Sequence, residues 1–247
     1  MSVATKLEER GRFARRQSTW VVSLDAVATL GVSVGIWALI VVASAAIAAI
    51  ESMLGDLEVS TLQSVLPIPR VVLFVAGAAF TGNNLLLHLA VGGTRRSFVD
   101  GLLTSSVFLG LATGLMTAVL VLVERLAWGA IGWDWQFNQG LDGNFAVTVV
   151  SEALAATTYL LAGAMLPAAY QRFGAWGGSS WILVLLALIL FVDWSVHAGY
   201  FFGSEVLAGA GTGRTLFGLG GGVLAVALAA FGVDRFYRDI PLRSAIG

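Results

Sequence analysis

Cysteine is absent from this 247-residue chain, which excludes disulfides, iron–sulfur clusters and thiolate metal sites. Charge is scarce as well. Asp, Glu, Lys and Arg make up 12% of the residues, about half the ~25% of an ordinary soluble domain. The formal net charge of −1 leaves no basic field suited to nucleic acid. The single lysine, Lys6, is followed by Leu7. A phosphate-cradling P-loop needs Gly-Lys followed by Ser or Thr, because that lysine reaches the terminal phosphates, so this sequence carries no such motif. The two histidines, His88 and His197, do not form a His-Glu-x-x-His helix, and no Gly-x-Ser-x-Gly elbow occurs. These absences lead to the expectation of no catalytic, cofactor or metal site on this chain.

What the chain has in abundance is apolar surface, at 57% hydrophobic residues. A core of this length cannot bury so much, so lipid is the expected solvent for most of it. Six continuous apolar segments reach the roughly 20 residues that a helical span takes, at about 24–50, 70–91, 101–124, 147–170, 181–202 and 214–233. Their lack of period-two alternation argues against a β-barrel. The expected fold is an all-α polytopic membrane protein with six transmembrane helices. The stretch Met1 to Ser18 carries Glu8 and Glu9 and precedes an apolar run too long for a signal peptide.

Basic residues give the orientation. Lys6, Arg10, Arg12, Arg15, Arg16, Arg95, Arg96, Arg172, Arg235, Arg238 and Arg243 fall on one side of a six-span arrangement, and only Arg70, Arg125 and Arg214 on the other. The positive-inside rule then predicts that both termini are cytoplasmic. Residues 1–23 read as a cytoplasmic segment. Val3, Leu7, Ala14 and Val21, with the Glu8–Arg12 i,i+4 pair, sketch an interfacial helix there that Gly11 interrupts. Residues 24–233 read as one membrane domain and 234–247 as a cytoplasmic tail. Two larger outer loops follow from the same count. Glu51–Pro69 is acidic, and Leu126–Asn144, rich in Trp and Gly, suits an interfacial cap or re-entrant segment.

Ionisable and amide side chains inside spans mark candidate functional positions. Asp193 and His197 are four apart in span five and share a face. They suit either a proton-sensitive pair or a structural carboxylate–imidazole bond, and the structural reading is favoured because no third partner is visible in the sequence. Glu152, one turn into span four, reads as a snorkelling or helix-start charge. Asn83, Asn84 and His88 lie in the inner half of span two, where interhelical hydrogen bonding is the favoured role and pathway lining the alternative. The pairs Gly31/Gly35, Gly110/Gly114 and Gly218/Gly222 permit close helix approach, within the chain or between copies.

The inner loops narrow the reading further. The stretch Ala90–Leu103, AVGGTRRSFVDGLL, resembles the first cytoplasmic loop of small ABC-2-type transporter permeases. Tyr170–Gly178, YQRFGAWGG, is similar to the stretch after span four in uncharacterised bacterial members of that group. The resemblance implies a permease subunit in a bacterial cytoplasmic membrane. It implies pairing with a second identical or related permease and with a separate ATPase that binds ATP and Mg. Gly93, Thr94, Arg95, Arg96, Ser97 and Phe98 would form or flank the ATPase-coupling helix, with Phe98 as an apolar anchor. Gln171, Arg172 and Phe173 would be a second cytoplasmic contact. The short connection at about 203–213 argues against polymer export and leaves small amphipathic molecules or peptides as cargo. Two rival expectations remain: a proton-coupled secondary transporter using Asp193, His197 and Glu152, and a non-transporting membrane partner subunit. The resemblance does not remove a plainer role for Arg95 and Arg96, that of holding the loop at lipid headgroups.

Overall fold

The computed structural model describes residues 66–90, 92–132, 144–197, 212–238 and 240, with the isolated residues 35, 37, 38, 41, 42, 60, 62 and 65. The expected interfacial segment, most of span one, the outer-loop residues 133–143, the connection at 203–211 and the tail from 241 lie outside them. So do the side chains of Asn83 and His197. The described residues are helical, without strands: α1 (Pro67–Ala90), α2 (Arg95–Ile131), α3 (Phe145–His197) and α4 (Thr212–Arg238). All four helices are long and apolar enough to cross a membrane.

The helix ends follow from local chemistry. Pro67 opens α1, where its missing N–H would be unpaired in any case. The chain leaves α1 through Gly92 at φ 89°, a left-handed position that glycine adopts without steric penalty. Thr94 then starts α2 with a capping box, in which Ser97 N–H donates to Thr94 Oγ1 and Thr94 N–H donates to Ser97 Oγ. The short helix expected at this turn is therefore continuous with the apolar run that follows, in one helix from Arg95. At the other end α2 runs past 124 to Ile131 and stops at Gly132 in the left-handed conformation. The segment before α1 is tied to α2 by Glu124, whose carboxylate accepts from Ser60 Oγ and from Leu62 N–H.

Helix α3, at 53 residues, would span about 80 Å if straight, far beyond a hydrocarbon core of ~30 Å. It is not straight. Gly174, at φ 73° and ψ −171°, breaks it into a first limb, 145–173, and a second limb, 175–197. The limbs fold back on one another, because Tyr159 reaches Asp193 and Tyr170 reaches Ser179. This hairpin is the centre of the bundle and packs against α1, α2 and α4.

The distribution of side chains is inverted relative to a soluble protein. Val75, Leu86, Phe108, Leu126, Leu183 and Phe231 are exposed, while Arg70, His88, Glu152 and Asp193 are buried. Lipid contact accounts for the first group, and the absence of water around the bundle drives the second inward. The helices meet through small residues. A Cβ at Gly77 would overlap the Leu160 carbonyl oxygen, and one at Gly163 would overlap the Phe74 carbonyl oxygen, so α1 and the first limb touch backbone to backbone. A Cβ at Gly110 would overlap Thr157 Oγ1 and one at Gly114 the Val149 carbonyl oxygen, so α2 packs comparably close on the first limb. Pro167 lacks the N–H that would bond Gly163. The adjacent Ala164 carbonyl accepts from Tyr237 Oη at 2.8 Å, so a neighbouring helix supplies a donor beside the proline turn, while Thr81 Oγ1 gives its one proton to the Gly77 carbonyl of its own helix at 2.7 Å.

The α1 contact makes a definite demand. Gly163→Ala should lower stability by about 1–3 kcal/mol, because a backbone carbonyl cannot rotate away from the added methyl. Gly220→Ala, at a site with no atom within 4 Å among the described residues, should be neutral or slightly stabilising. Melting temperatures of the two variants in one detergent compare them directly.

Candidate functional site

Two polar constellations stand out, at opposite ends of the bundle. Arg70 and His88 mark them on α1, separated by about 27 Å at 1.5 Å per residue, close to the thickness of a bilayer's hydrocarbon core.

At the first end, Arg70 projects from the opening turn of α1 and is 4% exposed. Its guanidinium grips Glu152 with two bonds, Nη2 to Oε1 at 2.7 Å and Nε to Oε2 at 3.1 Å. The remaining edge reaches Asp193, Nη1 to Oδ1 at 3.3 Å. The other Asp193 oxygen accepts from Tyr159 Oη at 2.5 Å. Glu152 and Tyr159 are seven apart on the first limb, two turns along one face. Ala155 and Ala156 between them are fully buried, and their small side chains let the neighbouring helices close in. Asp193 comes from the second limb, so the cluster joins α1 to both limbs of α3.

Among the described residues, one guanidinium thus faces two carboxylates in a buried site. Burying each ion costs several kcal/mol, and only close, hydrogen-bonded opposite charge offsets it. The two-pronged Arg–carboxylate geometry is the strong form of that pairing. In chemical terms the arrangement can lock three helical segments, and it offers two acceptors between which a proton can be exchanged. A snorkelling or helix-start role for Glu152 is overturned, since its side chain is 3% exposed and points into the bundle at Arg70. Asp193 likewise has partners that the sequence reading did not find. They are Arg70 and Tyr159, from other segments, and the His197 side chain lies outside the described residues. Two signals were present. Arg70 violates the charge bias of its side immediately ahead of an apolar run, and Tyr159 shares a helical face with Glu152.

At the second end, α1 turns into α2 through a compact knuckle. His88 is 2% exposed, and its Nε2 lies 3.0 Å from Ser97 Oγ. Ser97 Oγ also donates to the Thr94 carbonyl at 2.8 Å. Gly93 N–H donates to the His88 carbonyl, and a Cβ at Gly93 would collide with the imidazole. Phe98, expected as an outward anchor, is 3% exposed and sits between the rings of His88 and Tyr237, at 5.7 and 5.6 Å between centroids. It fastens the loop to α4 and offers nothing to an external surface in this conformation. Arg95 Nη1 donates to the Arg238 carbonyl at 2.8 Å, at the last turn of α4. Arg96 is exposed, and with Arg95, Val99, Asp234 and Arg238 it lines a small cleft of about 240 Å³. Nearby, Arg172 Nη1 donates to the Arg235 carbonyl at 3.2 Å, while Gln171 and Phe173 are exposed. Asn84, half-buried on α1, belongs to neither constellation.

Removing the cation alone should be severe. Arg70→Gln leaves two carboxylates facing each other and should lower stability by about 3–5 kcal/mol. Adding Glu152→Gln and Asp193→Asn to that variant should recover much of the loss, which unfolding in detergent would register as a rise in melting temperature. No family model, no curated protein and no solved structure matches the chain.

Proposed function

We propose that this chain is the membrane-spanning permease subunit of an ATP-driven transporter of the ABC-2 type. In this reading it crosses a bacterial cytoplasmic membrane six times with both termini inside, and it pairs with a second identical or related permease. A separate ATPase chain binds ATP and Mg beneath the inner loops, and the cargo is a small amphipathic molecule or peptide. The observation that carries the proposal is the mechanical linkage of the knuckle. The segment Gly92–Val99 is joined to α1 through His88–Ser97, to α2 through the Thr94 capping box, and to α4 through Phe98–Tyr237 and Arg95–Arg238. A push on this segment is therefore delivered to three helices at once, as a coupling element requires.

The charge placement supports the same reading. Arg95 and Arg96 occupy the first turn of α2, where cations oppose the helix dipole by about 0.3–1 kcal/mol each. An acidic partner surface or anionic headgroups would reward residues that the helix alone disfavours. If the partner is an ATPase, Arg96→Glu should abolish its co-purification after co-expression while leaving the melting temperature unchanged, since Arg96 is exposed. Retention of the ATPase and of export by that variant would sink the proposal.

A second reading, a proton-coupled carrier, draws on the Arg70 cluster, where one buried guanidinium bonds both Glu152 and Asp193 and offers two carboxylates that can take up a proton. On that reading Asp193→Asn abolishes transport driven by a proton gradient at constant ATP. On the ABC reading the same variant transports whenever ATP is present and only melts earlier. Flux measured in vesicles with the gradient collapsed separates the two.

A further inference from the structure

Between the second limb of α3 and α4 runs an apolar groove of about 610 Å³. Its walls include Val184, Leu188, Phe191, Leu228 and Phe231, and its basic end is formed by Arg172 and Arg235. That end belongs to the knuckle side of the bundle, since Arg235 lies one turn before Arg238, which holds Arg95. Trp181 packs edge-on against Phe236 at 4.8 Å and stacks on Phe173 at 5.9 Å, forming an aromatic layer at the level where a membrane interface begins.

We propose that this groove binds one phospholipid with an anionic headgroup. Four observations point to that occupant. From Trp181 to Phe191 the groove extends about 15 Å at 1.5 Å per residue, half of a ~30 Å hydrocarbon core, so its length matches one leaflet. Val184, Leu228 and Phe231 are exposed along it, and in a bilayer that surface meets acyl chains. Its volume falls in the range of small-molecule sites of about 300–1,000 Å³, and a helix 10–12 Å across would not seat in it. Finally, its charged lining residues are two arginines, whose planar donors suit a phosphate. Basic pockets between membrane helices on the inner side are a general form of lipid headgroup site. The proposal requires that these helices lie in a bilayer with the knuckle end on the inner side, and it is independent of what drives transport.

The test uses the full chain in phosphatidylcholine vesicles containing a minor fraction of either brominated phosphatidylglycerol or brominated phosphatidylcholine. Bromine quenches nearby tryptophan, and subtracting the signal of Trp181→Phe isolates Trp181. The expected result is several-fold stronger quenching by the anionic lipid. Arg235→Gln keeps the backbone carbonyl that Arg172 uses and should reduce that preference. Ala187→Phe fills the groove without touching charge and should weaken quenching by both lipids. Equal quenching of the wild type by the two lipids overturns the proposal, as does a preference that survives Arg235→Gln or is indifferent to Ala187→Phe. None of these readings depends on ATPase binding, so their failure would leave the permease proposal standing.

Discussion

Arg70 is the constraint on which the bundle turns. A guanidinium near the end of an apolar helix cannot be left without partners in lipid, and its fork draws Glu152 and Asp193 together. Those two residues lie on opposite limbs of α3, so satisfying one charge fixes the hairpin and docks it on α1. Tyr159 then occupies the Asp193 oxygen that Arg70 does not face. The energetic logic is specificity more than net stability. A buried charge cluster roughly balances its own desolvation, but a rotated or slipped helix would strand an ion, and such alternatives are excluded by several kcal/mol.

Around that lock, packing is set by what is missing from the helix faces. Gly77 and Gly163 let two backbones touch, and Gly110 and Gly114 do the same for α2. Where Pro167 opens a turn, Tyr237 brings a hydroxyl to the Ala164 carbonyl. The same tyrosine ring closes the knuckle over Phe98, so the proline turn in the middle of α3 and the α1–α2 turn share a residue. A disturbance at the α1–α2 turn and one in the helix interior are thereby connected through α4.

The knuckle end carries two basic features with different characters. The cleft of Arg95, Arg96, Asp234 and Arg238 is small and polar, and it lies beside the capped turn into α2. The groove ending at Arg172 and Arg235 is long and apolar, shaped for a chain with a charged head. They flank α4 on two sides, and α4 links both to the hairpin. Protein partner and lipid, on this reading, address the same helix from different faces.

The sequence by itself determined the helical class and the presence of helices apolar enough to cross a membrane. Those follow from long apolar runs and scarce charge. Helix starts were legible where a local motif decides them, as with Pro67 and the turn at Thr94–Ser97. Ends were misplaced where the helix continues beyond the apolar run, as α2 does past 124 to Ile131. Tertiary structure alone decided the partners. Whether Glu152 snorkels or turns inward depends on helix rotation, and whether Phe98 faces a partner or Tyr237 depends on where α4 passes. Hydropathy averages over helix faces, whereas a salt bridge joining residues 82 and 123 positions apart exists only once three helices have settled side by side.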